Sequence, residues 1–387
     1  MYKVKTFNNI SDKGLNRLPA DSYQIAEDID APDAIILRSA NLHDMDINPQ
    51  LKAVGRAGAG TNNVPVERLS EHGVAVFNAP GANANAVKEL VIAGMLLAAR
   101  NIIPAWDYVQ KVEGTTEEQH KAVEAGKKKF VGYELPGRTL GVVGLGAIGV
   151  RIANAAVDLG MRVIGYDPGI TVDSAWKMSS RVEKIRDPDE LFKQCDFVTF
   201  HVPLIDATRD KLNAKRVASM KDGAVILNFA RQGIVNDDAV LEGIESGKIH
   251  AYVCDFPSEK LKGNPRVITL PHLGASTVEA EENCAIMVAD QIRDYLENGN
   301  IKNSVNFPDI DMPRTAEKRL AVANRNMPDM VGQISHVLGQ AGVNIQSMRN
   351  ESKNGLAYTL IDIDSAVSDE VLQQVLDIEG VLSARQI

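Results

Sequence analysis

Three polar side chains in the second half of the chain are suited to proton transfer on a small acid. Arg231, Glu259 and His272 each follow a short apolar run. An imidazole titrates near neutral pH and can exchange a proton with a hydroxyl or keto oxygen. A guanidinium can hold a carboxylate through two parallel hydrogen bonds, and a neighbouring carboxylate can orient the imidazole. Together they predict interconversion of a 2-hydroxy acid and a 2-keto acid. Singly, they also fit a surface arginine, a solvated loop acid and a buried structural histidine.

A glycine motif earlier in the chain predicts a dinucleotide site. Gly144-Leu-Gly146-Ala-Ile-Gly149 lies between an apolar run and a stretch with helical periodicity. The first glycine permits a tight turn, the second lets the backbone approach a pyrophosphate, and the third lets helix and strand pack closely. The free N–H groups at the start of the helix would face the phosphates. A turn that only packs a helix on a strand is the remaining alternative.

Asp167 indicates which dinucleotide is bound. It follows the apolar run 162–166, where a carboxylate can accept hydrogen bonds from the hydroxyls of the adenosine ribose. The same negative charge would repel a 2′-phosphate. We therefore predict NAD, rather than NADP, as the cofactor.

The elements that position these residues follow a doubly wound α/β pattern. Continuous apolar runs, typical of parallel strands covered on both faces, are 34–37, 51–54, 74–77, 140–143, 162–166, 197–200, 224–228, 251–253 and 267–270. Long helices are predicted over 83–100 and 279–296, and a helix with a connection over 103–137. Ligands bind outside the carboxyl ends of such strands. We predict two doubly wound parallel-sheet domains, one flavodoxin-like and one Rossmann.

The tail predicts a third, smaller module. Apolar periodicity places strands at 320–325, 343–348, 356–363 and 381–385, and helices at 330–338 and 371–376. This βαββαβ order is ferredoxin-like. The stretch 298–313, rich in Asn, Gly, Pro and Asp, is typical of a linker.

Composition limits the class of protein. The 387 residues carry a formal net charge of −9, which argues against broad binding to nucleic acid or anionic membranes. Cys195, Cys254 and Cys284 form no CxxC pair, so we expect neither a disulfide framework nor a metal site. The N-terminus lacks an apolar signal core, and no apolar run is long enough for a membrane span. We expect a cytoplasmic protein.

Four segments in this order, GLGAIG, HVPL, NFARQGIV and LPHLGAST, resemble the D-isomer-specific 2-hydroxyacid dehydrogenase family. The resemblance covers the chain to about residue 310, and the tail looks like an ACT domain. It implies a substrate-binding domain (1–101 and 283–312), an NAD-binding domain (102–282) and an ACT regulatory or dimerisation domain (316–387). It also implies a homodimer or homotetramer.

The resemblance assigns roles residue by residue. It makes Arg231 the catalytic arginine, His272 the catalytic histidine and Glu259 the catalytic acid. The implied cofactor contacts are Gly144, Gly146, Ala147, Ile148, Gly149, Asp167, Pro203, Thr208, Phe229, Ala230, Gly274 and Ala275. One position departs from the family pattern, in which an aspartate five residues before the acid binds the nicotinamide carboxamide. This chain has Cys254 there and Asp255 next to it, and either could meet the carboxamide.

An early basic region indicates the substrate. Family members that oxidise 3-phosphoglycerate in serine biosynthesis present Arg-Ser after an early strand and then a glycine-rich loop. This chain has Arg38-Ser39, and Arg56 followed by Gly58-Ala59-Gly60. The resemblance implies that the loop binds the substrate carboxylate and the arginines its phosphate. Ordinary strand-end cations, another D-2-hydroxy acid (as in a hydroxypyruvate or 2-oxoglutarate reductase) and a silent NAD-sensing corepressor remain alternatives.

The tail also has a candidate effector site. In serine-regulated relatives the ACT interface binds serine through a His-x-Asn pair and an asparagine in Gly-Val-Asn-Ile. Asn326 and Asn344 match these asparagines, while Asn324 replaces the histidine and Asp329 replaces a glycine. An acid at position 329 would repel the carboxylate of serine. The resemblance therefore implies a dimer interface, with or without serine as effector.

Overall fold

The computed structural model describes residues 1–387. The helices are α1 (Asp12–Leu15), α2 (Val66–Glu71), α3 (Ala84–Ala99), α4 (Ile102–Gln110), α5 (Thr116–Gly126), α6 (Ala147–Asp158), α7 (Val172–Lys177), α8 (Pro188–Gln194), α9 (Ala214–Ser219), α10 (Asp237–Glu245), α11 (Val278–Asn298), α12 (Met330–Gln340) and α13 (Asp369–Leu376). The strands are β1 (Tyr2–Thr6), β2 (Tyr23–Ala26), β3 (Ala34–Leu37), β4 (Ala53–Arg56), β5 (Ala75–Asn78), β6 (Thr139–Val143), β7 (Arg162–Tyr166), β8 (Glu183–Lys184), β9 (Phe197–Phe200), β10 (Ala224–Asn228), β11 (Ile249–Cys254), β12 (Val267–Thr269), β13 (Lys318–Arg325), β14 (Ile345–Lys353), β15 (Leu356–Ile363) and β16 (Val381–Gln386). The chain divides into two compact units, residues 1–83 with 278–387 and residues 84–277.

The first unit is built on a parallel sheet in the order β2-β1-β3-β4-β5. This is the predicted flavodoxin-like order. Its central strand β3 is buried along its whole length, because α2 packs on one face of the sheet and α11 on the other. A Cβ atom on Gly55 of β4 would stand 2.3 Å from Val288 of α11, so this glycine lets the helix approach the sheet closely.

The tail belongs to the same compact unit. Its antiparallel sheet has the order β14-β15-β13-β16, which confirms the predicted ferredoxin-like βαββαβ arrangement. Along β13, Leu320 and Val322 pack under α12 and α13, whereas Ala321 and Ala323 join the core of the first parallel sheet. Because side chains alternate across a strand, both faces of this small sheet are covered.

The second unit contains seven parallel strands in the order β12-β11-β10-β9-β6-β7-β8. Read from β8, this is the predicted Rossmann order 3-2-1-4-5-6 with one further strand. Helices α3 and α6 cover one face, and α8, α9 and α10 cover the other. Since all seven strands run in one direction, their carboxyl ends lie along a single edge of the sheet.

The compact units differ from the predicted domain boundaries at 101/102 and 282/283. The sequence places α3 with the substrate-binding domain. In the structure its apolar face (Val87, Val91 and Met95) is buried against the nucleotide sheet, beside β10, β11 and α6. The second unit therefore begins at residue 84. The functional division into three domains stays a prediction.

Residues 103–137 hold two helices, α4 and α5, where the sequence predicts one. Thr115 starts the second helix with a reciprocal capping box to Glu118, which satisfies N–H groups that the first turn leaves free. A 3-10 turn at Lys127–Phe130 follows. None of the helices is both long and apolar enough to span a bilayer.

Candidate active site

The glycine motif forms the turn between β6 and α6. Gly144 has φ +95°, and a Cβ atom there would stand 2.4 Å from the carbonyl oxygen of His201. A Cβ atom on Gly149 would stand 1.9 Å from the carbonyl oxygen of Gly144, whereas one on Gly146 would meet no atom within 4 Å. Ala147 and Ile148 open α6 directly after this space. The first and third glycines are thus required by packing, and the second leaves room for a phosphate group.

Asp167 follows β7 and organises the same turn. Its Oδ2 accepts a hydrogen bond from the Leu145 N–H (2.8 Å), and its Oδ1 accepts one from the Gly169 N–H (2.8 Å). The carboxylate therefore lies beside the glycine turn, where a bound adenosine ribose is expected. Its contact with the ribose stays a prediction.

The loop after β9 carries Pro203 and Thr208. The Thr208 hydroxyl donates to the Pro203 carbonyl (2.5 Å), and its oxygen accepts from the Ile205 N–H (2.9 Å). His201, at the start of this loop, has Nε2 2.8 Å from Thr199 Oγ1 and a buried Nδ1 without a partner. Burial lowers the pKa of His201 to about 3. This histidine is therefore neutral near pH 7, and it is not among the residues predicted from the sequence.

Asn228, buried at the end of β10, shapes the segment that carries Arg231. Its Oδ1 accepts from the Ala230 N–H (3.2 Å), and its Nδ2 donates to the Arg231 carbonyl (2.9 Å). Phe229 is buried, while the exposed Arg231 donates from Nη1 only to the Ala230 carbonyl (2.7 Å). The other guanidinium donors are free for a carboxylate. Asn228 is not among the residues predicted from the sequence, although an asparagine that ends an apolar run is a usable signal.

His272 lies on a tight turn that Asp255 holds. Residue 272 has φ +51°, which is uncommon outside glycine, and its N–H donates to the Asp255 carbonyl (3.1 Å). The buried Asp255 side chain accepts from the Gly274 N–H through Oδ2 (3.2 Å), while Oδ1 has no partner. Burial raises the pKa of Asp255, against the charges of His272 and Arg231. The ring centroids of Phe256 and His272 are 5.0 Å apart.

The other two candidates of this region, the thiol of Cys254 and the carboxylate of Glu259, differ in their burial. Cys254 is fully buried at the end of β11, with Sγ 3.7 Å from the Phe256 carbonyl oxygen, and burial raises the pKa of its thiol. Glu259 is exposed on the following turn, and no hydrogen bond or ion pair joins it to His272. The catalytic role of Glu259 stays a prediction. Ala275 lies in the same loop as His272 and Gly274.

The basic residues predicted for the substrate lie together in the first unit. Arg38 follows β3, and Arg56 ends the neighbouring strand β4; Arg56 Nε donates to the Arg38 carbonyl (3.0 Å). Arg38 Nη1 pairs with Glu281 Oε1 of α11 (2.5 Å). The Ser39 N–H donates to Asn8 Oδ1 (2.9 Å), and Asn8 is likewise absent from the residues predicted from the sequence.

The glycine-rich loop follows Arg56 directly. A Cβ atom on Gly58 would stand 2.2 Å from Arg56 Nη1, so this position keeps the guanidinium close to the backbone. The carbonyl oxygen of Ala59 accepts from Asn78 Nδ2 (2.6 Å), and Gly60 ends the loop. Two cations and a loop of backbone N–H groups therefore share one edge of the first sheet.

The two candidate effector residues of the tail lie apart within one chain. Asn326 lines a cavity of about 140 Å³ with Asn324 and Asp329. It follows the end of β13 that pairs with the start of β15. Asn344 comes directly before Ile345, the first residue of β14, which pairs with Ile363 at the end of β15. Because they stand at opposite ends of the sheet, only two chains could bring Asn326 and Asn344 together.

The second unit has the features that a bound NAD requires. The space at Gly146 can admit the pyrophosphate, and Asp167 is beside it for the ribose hydroxyls. Directly after β11, Asp255 has a buried carboxylate oxygen, Oδ1, that accepts no hydrogen bond. A carboxamide or an imidazole could supply one.

Comparison with known proteins identifies the family. Residues 92–274 match the family model described as D-isomer specific 2-hydroxyacid dehydrogenase, NAD binding domain. The chain is 40% identical over 296 residues to a D-3-phosphoglycerate dehydrogenase of Methanocaldococcus jannaschii, covering 74% of this chain and 54% of that protein. It therefore spans about half the length of this relative.

Two further relatives are matched over most of their length. A D-3-phosphoglycerate dehydrogenase of Haemophilus influenzae is 32% identical over 349 residues, covering 87% of this chain and 81% of that protein. A hydroxypyruvate reductase of Thermotoga maritima is 38% identical over 272 residues, covering 67% of this chain and 83% of that protein.

A solved structure shares the fold. The NAD⁺-bound 3-phosphoglycerate dehydrogenase of Entamoeba histolytica matches with a TM-score of 0.60 at 24% identity, over 79% of this chain and 98% of that one. At this identity the likeness concerns the fold alone. With the relatives above 30% identity, it leads to one conclusion: this chain belongs to the D-isomer-specific 2-hydroxyacid dehydrogenases, a family of NAD-dependent oxidoreductases that act on a CH–OH group, and it carries their NAD-binding domain.

Proposed function

We propose that this protein is a D-3-phosphoglycerate dehydrogenase, which oxidises 3-phospho-D-glycerate to 3-phosphohydroxypyruvate with NAD in the first step of L-serine biosynthesis. The observation that carries the substrate choice is the pair Arg38 and Arg56 beside the glycine-rich loop 58–60. A substrate with a carboxylate and a phosphate needs two anion subsites, and guanidinium and backbone N–H groups suit them. The names of the relatives support the same substrate.

The proposal gives each region a task. Residues 1–101 and 283–312 bind the substrate, 102–282 bind NAD, and 316–387 form a regulatory or dimerisation domain. Serine would act across two chains, since Asn326 and Asn344 stand at opposite ends of the sheet in one chain.

The chemistry divides between cofactor and protein. NAD, when bound, would supply the acceptor for the hydride that leaves carbon 2 of the substrate. His272 takes the hydroxyl proton as the keto group forms, and it returns that proton in the reverse direction. The free donors of Arg231 hold the substrate carboxylate and stabilise negative charge on the reacting oxygen. A carboxylate must also orient the imidazole, a task that the family resemblance gives to Glu259.

A steady-state assay of NADH formation tests the substrate. We expect the highest kcat/KM with 3-phosphoglycerate, beside D-glycerate, D-lactate and D-2-hydroxyglutarate. Turnover of another acid without turnover of phosphoglycerate would contradict the substrate. Tight NADH binding without turnover of any acid would favour the corepressor.

Two variants test the roles of residues. His272→Asn should lower kcat by about 10²–10⁴-fold, the usual contribution of a general base, and leave NADH binding unchanged.

Arg38→Ala should raise the KM for 3-phosphoglycerate and leave the KM for D-glycerate nearly unchanged, because only the first substrate carries a phosphate. Equal effects on both substrates would remove Arg38 from the phosphate site.

A hydroxypyruvate reductase is the second candidate function. The Thermotoga maritima relative of that name, 38% identical to this chain, favours it. Its substrate has no phosphate, so this reading predicts that Arg38→Ala does not change the KM of the preferred substrate.

A further inference from the structure

We propose that a cavity in the second unit binds a small organic anion, namely a carboxylate attached to a short apolar body. The cavity has a volume of about 220 Å³ and lies between the end of α3, the start of α4, the 3-10 turn and the amino ends of β11 and β12. All five elements belong to residues 84–277. The inference goes beyond the proposed function, because none of the lining residues is assigned to the cofactor or the substrate.

The polar part of the cavity is basic. Lys129, His250 and Arg266 line it, and no carboxylate does. Neither Lys129 nor Arg266 forms an ion pair with an acid. The cavity therefore carries two uncompensated positive charges, in a chain whose formal net charge is −9. Such a local positive field attracts an anion.

His250 orients the guanidinium of Arg266. Its Nε2 lies 3.3 Å from the Ala98 carbonyl oxygen, and its Nδ1 lies 3.3 Å from Arg266 Nη1. Because a carbonyl oxygen only accepts, Nε2 carries the ring proton and Nδ1 accepts from the guanidinium. The remaining guanidinium donors can hold a carboxylate through two parallel hydrogen bonds.

Lys129 supplies the second cation. Its Nζ lies 5.8 Å from the centre of the Tyr108 ring, a contact that holds the side chain beside α4. Lys129 and Arg266 are exposed, whereas His250 is half-buried. The two cations are therefore at the rim of the cavity, where an approaching anion meets them first.

The walls of the cavity are apolar. Leu97 of α3, Phe130 of the 3-10 turn and Ile268 of β12 line it, and each is half-buried. Covering apolar surface stabilises a complex by about 25 cal/mol per Å². An inorganic anion would leave these side chains in contact with water, whereas a hydrocarbon body would cover them. The cavity therefore suits a carboxylate with an apolar body better than free phosphate.

The cavity is remote from the active site and from the exposed face of α4. His250 is near the start of β11 and Cys254 is at its end, so about 13 Å of strand separates the cavity from the edge that carries the His272 loop. Pro104 lines the cavity and lies about 160° around α4 from the exposed Trp106. A ligand can therefore enter without displacing the cofactor or a partner bound at Trp106.

Isothermal titration calorimetry tests the site with two probes, sodium benzoate and sodium 4-methylpentanoate. We expect a Kd below about 1 mM for at least one of them. Arg266→Gln and Lys129→Gln should each weaken binding by about 10-fold, because a charge-assisted contact is lost. Inorganic phosphate and benzyl alcohol, which keep only the charge or only the ring, should bind more weakly than benzoate.

Lys128→Gln is the matched control, since Lys128 is an exposed neighbour of Lys129 that does not line the cavity. Its affinity should equal that of the wild type. Absence of heat with both probes overturns the proposal, as does binding that Arg266→Gln leaves unchanged. Phosphate that binds as tightly as benzoate overturns the role of the apolar walls.

The imidazole of His250 reports the location of the bound probe. Burial and the charge of Arg266 lower the pKa of His250. The other titratable groups around the ring are Lys129 and Tyr133, whose ring centre is 6.0 Å away. A bound carboxylate favours the imidazolium, so saturating benzoate should raise the midpoint of the His250 titration measured by NMR. His250→Gln identifies the signal, and an unchanged midpoint refutes the location.

Two further titrations exclude other sites for the probe. Benzoate affinity should be the same with saturating NADH and in Trp106→Glu. Displacement by NADH would place benzoate in the cofactor cleft, and binding seen only in Trp106→Glu would mean that a second copy of the chain fills the cavity; either result overturns the proposal. None of these measurements needs turnover, so they separate this site from the proposed function.

Discussion

Asp167 links the shape of the glycine turn to the choice of cofactor. Its two oxygens hold the N–H groups of Leu145 and Gly169, which keeps the negative charge at the end of β7. We expect Asp167→Ala to lower the NAD:NADP ratio of kcat/KM by about 10- to 100-fold, since a charge-assisted hydrogen bond is lost and repulsion of a 2′-phosphate is relieved. Initial rates with both cofactors measure the ratio. Asp173→Ala, on the exposed first turn of α7, is the control, and an unchanged ratio in Asp167→Ala would contradict the role.

His201 makes the stability of the second unit depend on pH. Burial lowers the pKa of His201 to about 3, whereas an unfolded chain keeps the ordinary value of about 6.5. Between these values only the unfolded state binds the proton, so the free energy of unfolding decreases as the pH falls from about 6.5 towards 3. Relative to the wild type, His201→Gln should lose about 1–2 kcal/mol less between pH 7 and pH 5. Urea unfolding at both values measures this, with the exposed His43→Gln as control. Parallel losses would contradict the assignment.

At the scale of secondary-structure elements, α11 joins the substrate region to the tail. Near its start, Glu281 pairs with Arg38. At its other end, the carbonyl groups of residues 295–298, which lack partners within the helix, accept hydrogen bonds from arginines of the tail. The Arg385 guanidinium donates to the carbonyl oxygens of Tyr295 and Leu296. Arg314 donates to the carbonyl oxygen of Glu297, and Arg319 donates to that of Asn298 (2.8 Å). One helix is therefore fixed at both ends by charged side chains.

Arg385 makes two of these hydrogen bonds and can be tested alone. Its guanidinium bonds two carbonyls and lies 4.5 Å from the centre of the Tyr295 ring. Arg385→Leu should reduce the free energy of unfolding by about 1.5–3 kcal/mol, because two charged hydrogen bonds are lost. The two carbonyls keep their bonds from the Gly299 N–H and the Tyr2 hydroxyl. Denaturant unfolding measures the loss. The exposed Arg325→Leu, at the end of β13, should change stability much less. A similar value for both variants would disprove the capping role.

At the scale of the whole molecule, α4 has a surface that folding of one chain leaves uncovered. The helix has no buried residue, and Ile102, Ile103, Trp106 and Val109 are all exposed. The neighbouring α5 carries exposed charged residues, among them the ion pair of Glu117 and Lys121, and forms a polar rim beside this patch. An apolar patch with such a rim is typical of a protein interface.

We therefore expect a dimer formed through α4. Trp106, 62% exposed, is the largest apolar side chain of the patch, and Trp106→Glu should shift the mass measured by sedimentation towards that of the monomer. Trp176→Glu is a matched control, since Trp176 is 85% exposed on α7 and should leave the mass unchanged. An unaffected mass in Trp106→Glu would place the interface elsewhere, and a monomeric wild type would refute the dimer.

The order of the elements and the local chemistry could be predicted from the sequence alone. Buried parallel strands need unbroken apolar runs, and therefore β3, β7, β9 and β10 were found at their observed residues. The glycine turn was predictable because its motif spans six residues, although the closest neighbour of Gly144, the His201 carbonyl oxygen, lies far along the chain. Arg231 and His272 were identifiable because residues that follow parallel strands gather at one edge of a sheet.

Only the tertiary structure decided which surfaces meet. It placed α3 on the nucleotide sheet, buried one face of the tail sheet against the first unit, and separated Asn326 from Asn344. It also buried Asp255 under the His272 turn and left Glu259 exposed, a distinction that spacing along the chain could not make. The physical reason is the same in each case. Burial and hydrogen-bond satisfaction depend on contacts between residues far apart in sequence, and a local pattern predicts the element but not its neighbours.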